Sequence, residues 1–209
     1  TIVEDTKAFL GTEDDVIVLS ASGTEFMESA IINTVDENVL CTTCGSFSER
    51  QAAVAERLGK DVDTLSYEWG EAVDPEDVRA RLERTHDSGA TYDAVTVVMN
   101  ETSTGVRNPI DEIADVVADY PDTLFVVDAI SALGGDLVDL EAHDIDVLFT
   151  SVQKAFAMPP GLSVCVVSDA AYDREVEKDS ASWYGGFQRS LDYYDRKGQT
   201  HSTPAIPLM

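Results

Sequence analysis

Positive charge is scarce in this sequence. Lysine and arginine number 14 against 40 aspartates and glutamates, a formal net charge of −26 over 209 residues. A field of that sign repels nucleic acid and anionic lipid, which both need clustered cations, so neither is expected as a partner. The acids are dispersed in stretches such as GTEDD, AVDPEDV and DREVEKD and are not gathered into a tail. We read them as the surface of a folded, halophilic protein in a high-salt cytoplasm, where screening relieves the self-repulsion. Cysteine is scarce too: Cys41, Cys44 and Cys165 cannot all pair within one chain, which points to a reducing compartment. Cys41 and Cys44 have redox spacing but no second thiol pair, so neither a redox centre nor a zinc site is expected. His86, His143 and His201 are scattered without ligand spacing, which leaves no metal site and marks them as surface or turn residues. Long apolar runs are missing, and TIVEDTKAFLG lacks the basic and apolar parts of a leader, so a soluble, cytoplasmic protein without a membrane partner is expected. No G-x-G-x-x-G follows the first strand candidate, which argues against a nicotinamide site.

What is present suits one folded domain, since 44% of residues are hydrophobic and 8% aromatic. Short β-branched runs alternate with amphipathic stretches, the pattern of an α/β fold with a mostly parallel sheet and helices on both faces. VIVLS (16–20), NVLCT (38–42), AVTVVMN (94–100), TLFVVD (123–128), IDVLFT (145–150) and LSVCVV (162–167) are the strand candidates, with TLSYEW (64–69) a weaker one. Ser46-Phe47-Ser48-Glu49 reads as a capping box opening a helix that Gly59 stops. Pro75 and Pro109 sit where a first helical turn tolerates proline. From Ser180 the pattern breaks up, so residues 1–179 read as the domain core and 180–209 as a loop-rich segment at the active site or an interface. The chain opens without Met and stops at TPAIPLM, which reads as a fragment.

In open α/β sheets, ligands gather at the carboxyl ends of the strands. The first strand runs into Ser22-Gly23-Thr24, which is either a phosphate cup at a helix N-terminus or the start of a capping box ending at Glu25. TLFVVD delivers Asp128, a site carboxylate or a helix cap. Lys154 follows the fifth strand candidate inside TSVQKAFAMPPG, where it could bind phosphate, form a Schiff base or simply be exposed. Its apolar, proline-restricted flank favours a desolvated amine with a lowered pKa. A phosphate cup, an anionic carboxylate and a buried amine together are what pyridoxal 5′-phosphate needs. Phe47 could cover the cofactor ring or pack in the core.

SGTEFMESAI, GSFSERQ, NETSTGVRNPI, VVDAISALGG and SVQKAFAMPPGLS occur in this order and spacing. The set resembles the class V aminotransferases of fold type I, in the branch of the alanine–glyoxylate and serine–pyruvate aminotransferases, from about residue 12 to the end. The resemblance implies a homodimer with active sites at the subunit interface. Lys154 would form the Schiff base and move the proton between Cα and the cofactor, Asp128 would pair with the pyridinium nitrogen, and Phe47 would stack on the ring. Ser22, Gly23 and Thr24 match the phosphate turn, Thr102 a hydroxyl near the phenolic oxygen, and Gln153 the residue before the lysine in this branch. Ser202 or Thr203 would reach the neighbouring subunit's phosphate. The expected activity transfers an amino group from an amino acid such as alanine or serine to a 2-oxo acid such as glyoxylate or pyruvate. A related lyase or desulfurase, or a cofactor-binding core without turnover, stands beside it. Family members are longer, and the resemblance implies that the C-terminal small domain, which carries the arginine for the substrate carboxylate, is missing. Arg107 and Arg189 match no substitute for it.

Overall fold

The strand candidates contain little but apolar residues because both of their faces are covered. In the computed structural model, which describes residues 1–140, 142–180 and 182–209, seven strands form one sheet. They are β1 (Asp15–Leu19), β2 (Asn38–Thr43), β3 (Asp61–Ser66), β4 (Ala94–Val98), β7 (Leu124–Asp128), β8 (Val147–Ser151) and β9 (Ser163–Val167), and a two-residue ladder, β5 (Asn100–Glu101) with β6 (Val106–Arg107), stands apart. The order is β1-β9-β8-β7-β4-β2-β3. β3, β2, β4, β7 and β8 are mutually parallel, and β9 runs antiparallel to both β8 and β1. The expected α/β architecture, mostly parallel with helices on both faces, is therefore what forms.

Alternation along each strand divides the core into two layers. Val16, Val18, Val95, Val97, Phe125, Val127 and Leu148 point to one face, where α4 (Pro75–Asp87) and α5 (Ile110–Val117) pack with Val78, Leu82, Ile110 and Ile113. Ile17, Leu19, Ala94, Leu124, Val126 and Phe149 point to the other, against α2 (Gly23–Thr34), α3 (Ser46–Arg57) and α6 (Asp169–Lys178). Burying a side chain such as Phe149 completely stabilises the fold by about 2–3 kcal/mol. The edge strand β3 is only partly buried and carries Asp61 and Asp63, charges that discourage pairing with another chain.

One expectation needs correction. The N-cap of α3 is Gly45, one residue before the expected Ser46: the Ser48 hydroxyl accepts the Gly45 amide at 3.1 Å, so the box closes on Ser48 and not on Glu49. Within residues 180–209, α7 (Phe187–Lys197) turns Phe187, Ser190 and Leu191 onto the core. The helix α1 (Ile2–Leu10), capped by Thr1 and ended by Gly11 at φ 65°, had no counterpart among the sequence expectations. Among the described residues no helix is long and apolar enough to cross a membrane.

Candidate active site

The parallel strands deliver five loops to one edge of the sheet. β7 ends at Asp128, which is 3% exposed and whose carboxylate has one hydrogen bond among the described residues, from the Ile130 amide to Oδ1 at 2.8 Å. Burial pushes its pKa up to about 7; the Ile130 amide and the positive charges of Arg50 and Lys154 pull down, and Glu101 pushes up. The anionic carboxylate expected from sequence is thus a group poised between charge states in the ligand-free chain.

The neighbouring strand β8 leads through Ser151 into a turn carrying Gln153 and Lys154, closed by the Ala157 amide donating to the Lys154 carbonyl at 2.9 Å. Lys154 is exposed, and so are Ala155, Ala157, Pro159 and Pro160. The expected desolvation of this amine by its apolar flank does not occur: the prolines shape the turn without folding over it. Gln153 keeps a buried Oε1 with no hydrogen-bond partner among the described residues.

At the end of β1, Ser22 precedes α2 without making a side-chain capping bond, which removes the capping-box alternative and leaves its hydroxyl free. Ser22 and Thr24 are exposed and Gly23 is buried. A Cβ on Gly23 would stand 2.4 Å from Ile130 Cδ1 and 3.4 Å from Ser151 Cβ, so this glycine brings the positive end of α2 against the loop after Asp128 and the tip of β8.

Beyond β4, Asn100 retains a buried Oδ1 without a partner among the described residues, and the exposed Thr102 donates to the Ser131 hydroxyl at 2.9 Å. Ser131 in turn donates to the Asn100 carbonyl at 2.9 Å, tying the loop after β4 to the loop after β7. Phe47, at the start of α3, is half-buried with the Arg50 guanidinium 4.9 Å from its ring centre. Its amide donates to Glu101, a fully buried carboxylate that sequence reasoning did not single out. Ser22, Gly23, Thr24, Phe47, Thr102, Asp128, Gln153 and Lys154 therefore share one sheet edge.

Ser202 and Thr203 do not join them. They line a separate cavity of about 610 Å³ with Ile2, Val18, Tyr194 and His201, and no hydrogen bond among the described residues links them to the set above. The three cysteines are free and buried, and burial pushes Cys41 up to about 11, which disfavours its thiolate.

The donor set fits pyridoxal 5′-phosphate. Uncapped hydroxyls and amides stand at a helix N-terminus, a buried acid has an oxygen unengaged, a primary amine lies open beside it, and two buried amide oxygens lack partners among the described residues. Comparison with known proteins agrees. The chain is 39% identical, over 99% of its length, to an uncharacterized aminotransferase of Methanocaldococcus jannaschii, and covers 53% of that protein. It is 34% identical over all of its length to the serine–glyoxylate aminotransferase of Methylorubrum extorquens, again covering 53% of it. The crystal structure of an alanine–glyoxylate aminotransferase from Nostoc sp. superimposes with a TM-score of 0.89 at 30% identity, over 99% of this chain and 55% of that one. The chain spans about half the length of these relatives. The profile of the family "Aminotransferase class-V" matches residues 1–201, and the chain belongs to that family, whose cofactor is pyridoxal 5′-phosphate.

Proposed function

We propose that this chain carries the cofactor-binding part of an aminotransferase that moves an amino group from an amino acid such as alanine or serine to a 2-oxo acid such as glyoxylate or pyruvate. The observation that carries the reading is the pairing of Asp128 and Lys154 at the tips of neighbouring parallel strands, one buried and short of partners, the other open. When bound, pyridoxal 5′-phosphate supplies an electron sink for the pair released as a bond at the amino acid's Cα breaks.

The chain's own residues have distinct tasks. Ser22, Gly23 and Thr24 would hold the phosphate at the positive end of α2, where backbone amides point outward. Asp128 would keep a proton on the ring nitrogen; a cation there draws its carboxyl down from about 7 and favours the charged form. Phe47 would cover one face of the ring, and Thr102 would place its hydroxyl near the phenolic oxygen. Lys154 would hold the aldehyde carbon through Nζ and, once the amino acid's nitrogen has displaced it there, would as a free amine take the proton from the amino acid's Cα and return it to the cofactor carbon. Cover over the exposed Lys154 would have to come from the bound groups or from further polypeptide. The same reading includes a homodimer in which Ser202 or Thr203 serves the neighbouring site, a core of residues 1–179 with 180–209 at the interface, and a high-salt cytoplasm.

The test is an absorption spectrum in molar salt with added pyridoxal 5′-phosphate, compared with Lys154→Ala. A visible band absent from the variant, bleached by alanine or serine, is the expected outcome. A band that no amino acid bleaches would favour a binding core without turnover; pyruvate and ammonia formed from serine without an acceptor would favour a lyase, and alanine with released sulfur formed from added cysteine would favour a desulfurase.

A further inference from the structure

Glu101 is a carboxylate with 0% exposure and no salt-bridge partner among the described residues, an arrangement that costs several kcal/mol unless donors compensate. Here they do. Oε2 accepts the Ser48 amide at 2.9 Å, the Ser48 hydroxyl at 3.0 Å and the Phe47 amide at 3.1 Å, while Oε1 accepts the Ser103 hydroxyl at 2.7 Å and the Ser103 amide at 3.2 Å. Burial raises its pKa, and the bonds from Ser103, Ser48 and Phe47 overcome that and leave it below the ordinary value, so the group stays an anion at neutral pH.

Space for this side chain comes from Gly45. A Cβ there would lie 2.5 Å from Glu101 Cγ and 2.7 Å from its Cδ, so α3 can begin at this point only if residue 45 has no side chain. One carboxylate thereby fastens the first turn of α3, which carries Phe47, to the loop that carries Thr102. These residues follow the neighbouring parallel strands β2 and β4 and lie 55 positions apart in sequence. Thr102 is fixed again from the far side through Ser131 and the Asn100 carbonyl.

We propose that Glu101 is a positioning residue of the cofactor site: it sets the distance between the ring face offered by Phe47 and the hydroxyl offered by Thr102. The inference rests on the reading above and deepens it. A helix cap that served stability alone would need one or two of these bonds; Glu101 makes bonds to both walls and fills the space of a missing side chain.

The experiment uses Glu101→Gln, Ser103→Ala and, as a control at the opposite edge of the sheet, Asp93→Ala. Each protein is titrated with pyridoxal 5′-phosphate under conditions where denaturation curves show it folded, and the amide exchange of Phe47 and Ser48 is followed without cofactor. Glu101→Gln turns an acceptor into a donor facing three amides, and its cofactor affinity is expected to fall by at least about tenfold, with a displaced visible maximum and faster exchange at both amides. Ser103→Ala, which leaves the carboxylate in place, shifts all three in the same direction by less and covers the case in which Glu101→Gln fails to fold. Asp93→Ala loses stability and keeps affinity and maximum. If Glu101→Gln and Ser103→Ala behave like Asp93→Ala, Glu101 is only a helix cap and the proposal falls alone. A parent chain that takes up no cofactor overturns this proposal and the functional reading together.

Discussion

The two edges of the sheet use their polar groups in opposite ways. At the amino edge, partly buried groups are spent on the fold: a single oxygen of Asp93 accepts the amides of Asp36, Glu37 and Asn38 at 3.0, 2.7 and 2.9 Å. Asp146 accepts the Phe125 amide and the Ser168 hydroxyl, both at 2.8 Å, and the Arg174 guanidinium spans the carbonyls of Thr34, Asp93 and Asp122. At the carboxyl edge, Asp128 has one partner, Ser22 caps nothing, and Gln153 and Asn100 keep buried oxygens without partners among the described residues. Buried polar groups left unpaired cost stability. The contrast teaches that the carboxyl edge is built for something the chain itself does not supply, and the amino edge is built to hold the strands in register.

The largest effect that could break this comparison is at Lys154. Lys154→Ala should abolish the visible band and lower amino-group transfer by about a thousandfold or more, with an unchanged denaturation curve, because the side chain is exposed. Transfer assays and urea titration check the two halves.

Asp128→Asn comes next, with effects of opposite sign on activity and stability. Turnover should fall by about a hundredfold. The cofactor-free chain, however, should gain stability at pH 8. With the native carboxyl raised to about 7, the folded state binds more protons than the unfolded one between pH 4 and 7, so the wild-type chain loses stability as pH rises through that window. The gain from Asn should therefore be about 2–4 kcal/mol at pH 8 and shrink toward zero near pH 4. Urea midpoints across pH measure it, and a gain that grows toward acid would refute the assignment.

Asp93→Ala strands three backbone amides and should cost about 1–3 kcal/mol of stability while leaving cofactor affinity alone. The smallest effect is at Gly23→Ala. Its new Cβ meets the flexible end of Ile130, so folding should survive and cofactor affinity should drop only a few-fold as the α2 turn shifts.

Much of the fold was legible because β-branched runs covered on both faces are hard to mistake, and β2 and β7 appear within one residue of their expected limits. α7 was missed although Phe187, Leu191 and Tyr194 are spaced for one helical face; glycines and aromatics just before it suggested loop. For the candidate site, strand-end position picked out Asp128 and Lys154, which lie at the tips of neighbouring strands. It could not reveal the exposure of Lys154, since whether PPG folds over the amine or away from it depends on tertiary packing. Glu101 was invisible for another reason: followed by hydroxyl residues in NETSTG it looks like a solvated turn acid, and two of its donors, Phe47 and Ser48, are 54 and 53 positions away.

The most direct measurement of the central claim is the visible spectrum of the chain, Lys154→Ala and Asp93→Ala, each titrated with pyridoxal 5′-phosphate in molar salt. The account predicts a saturating band in the parent and in Asp93→Ala, and none in Lys154→Ala. An undiminished band in Lys154→Ala would place the cofactor on another amine and contradict the assignment of function to the carboxyl edge.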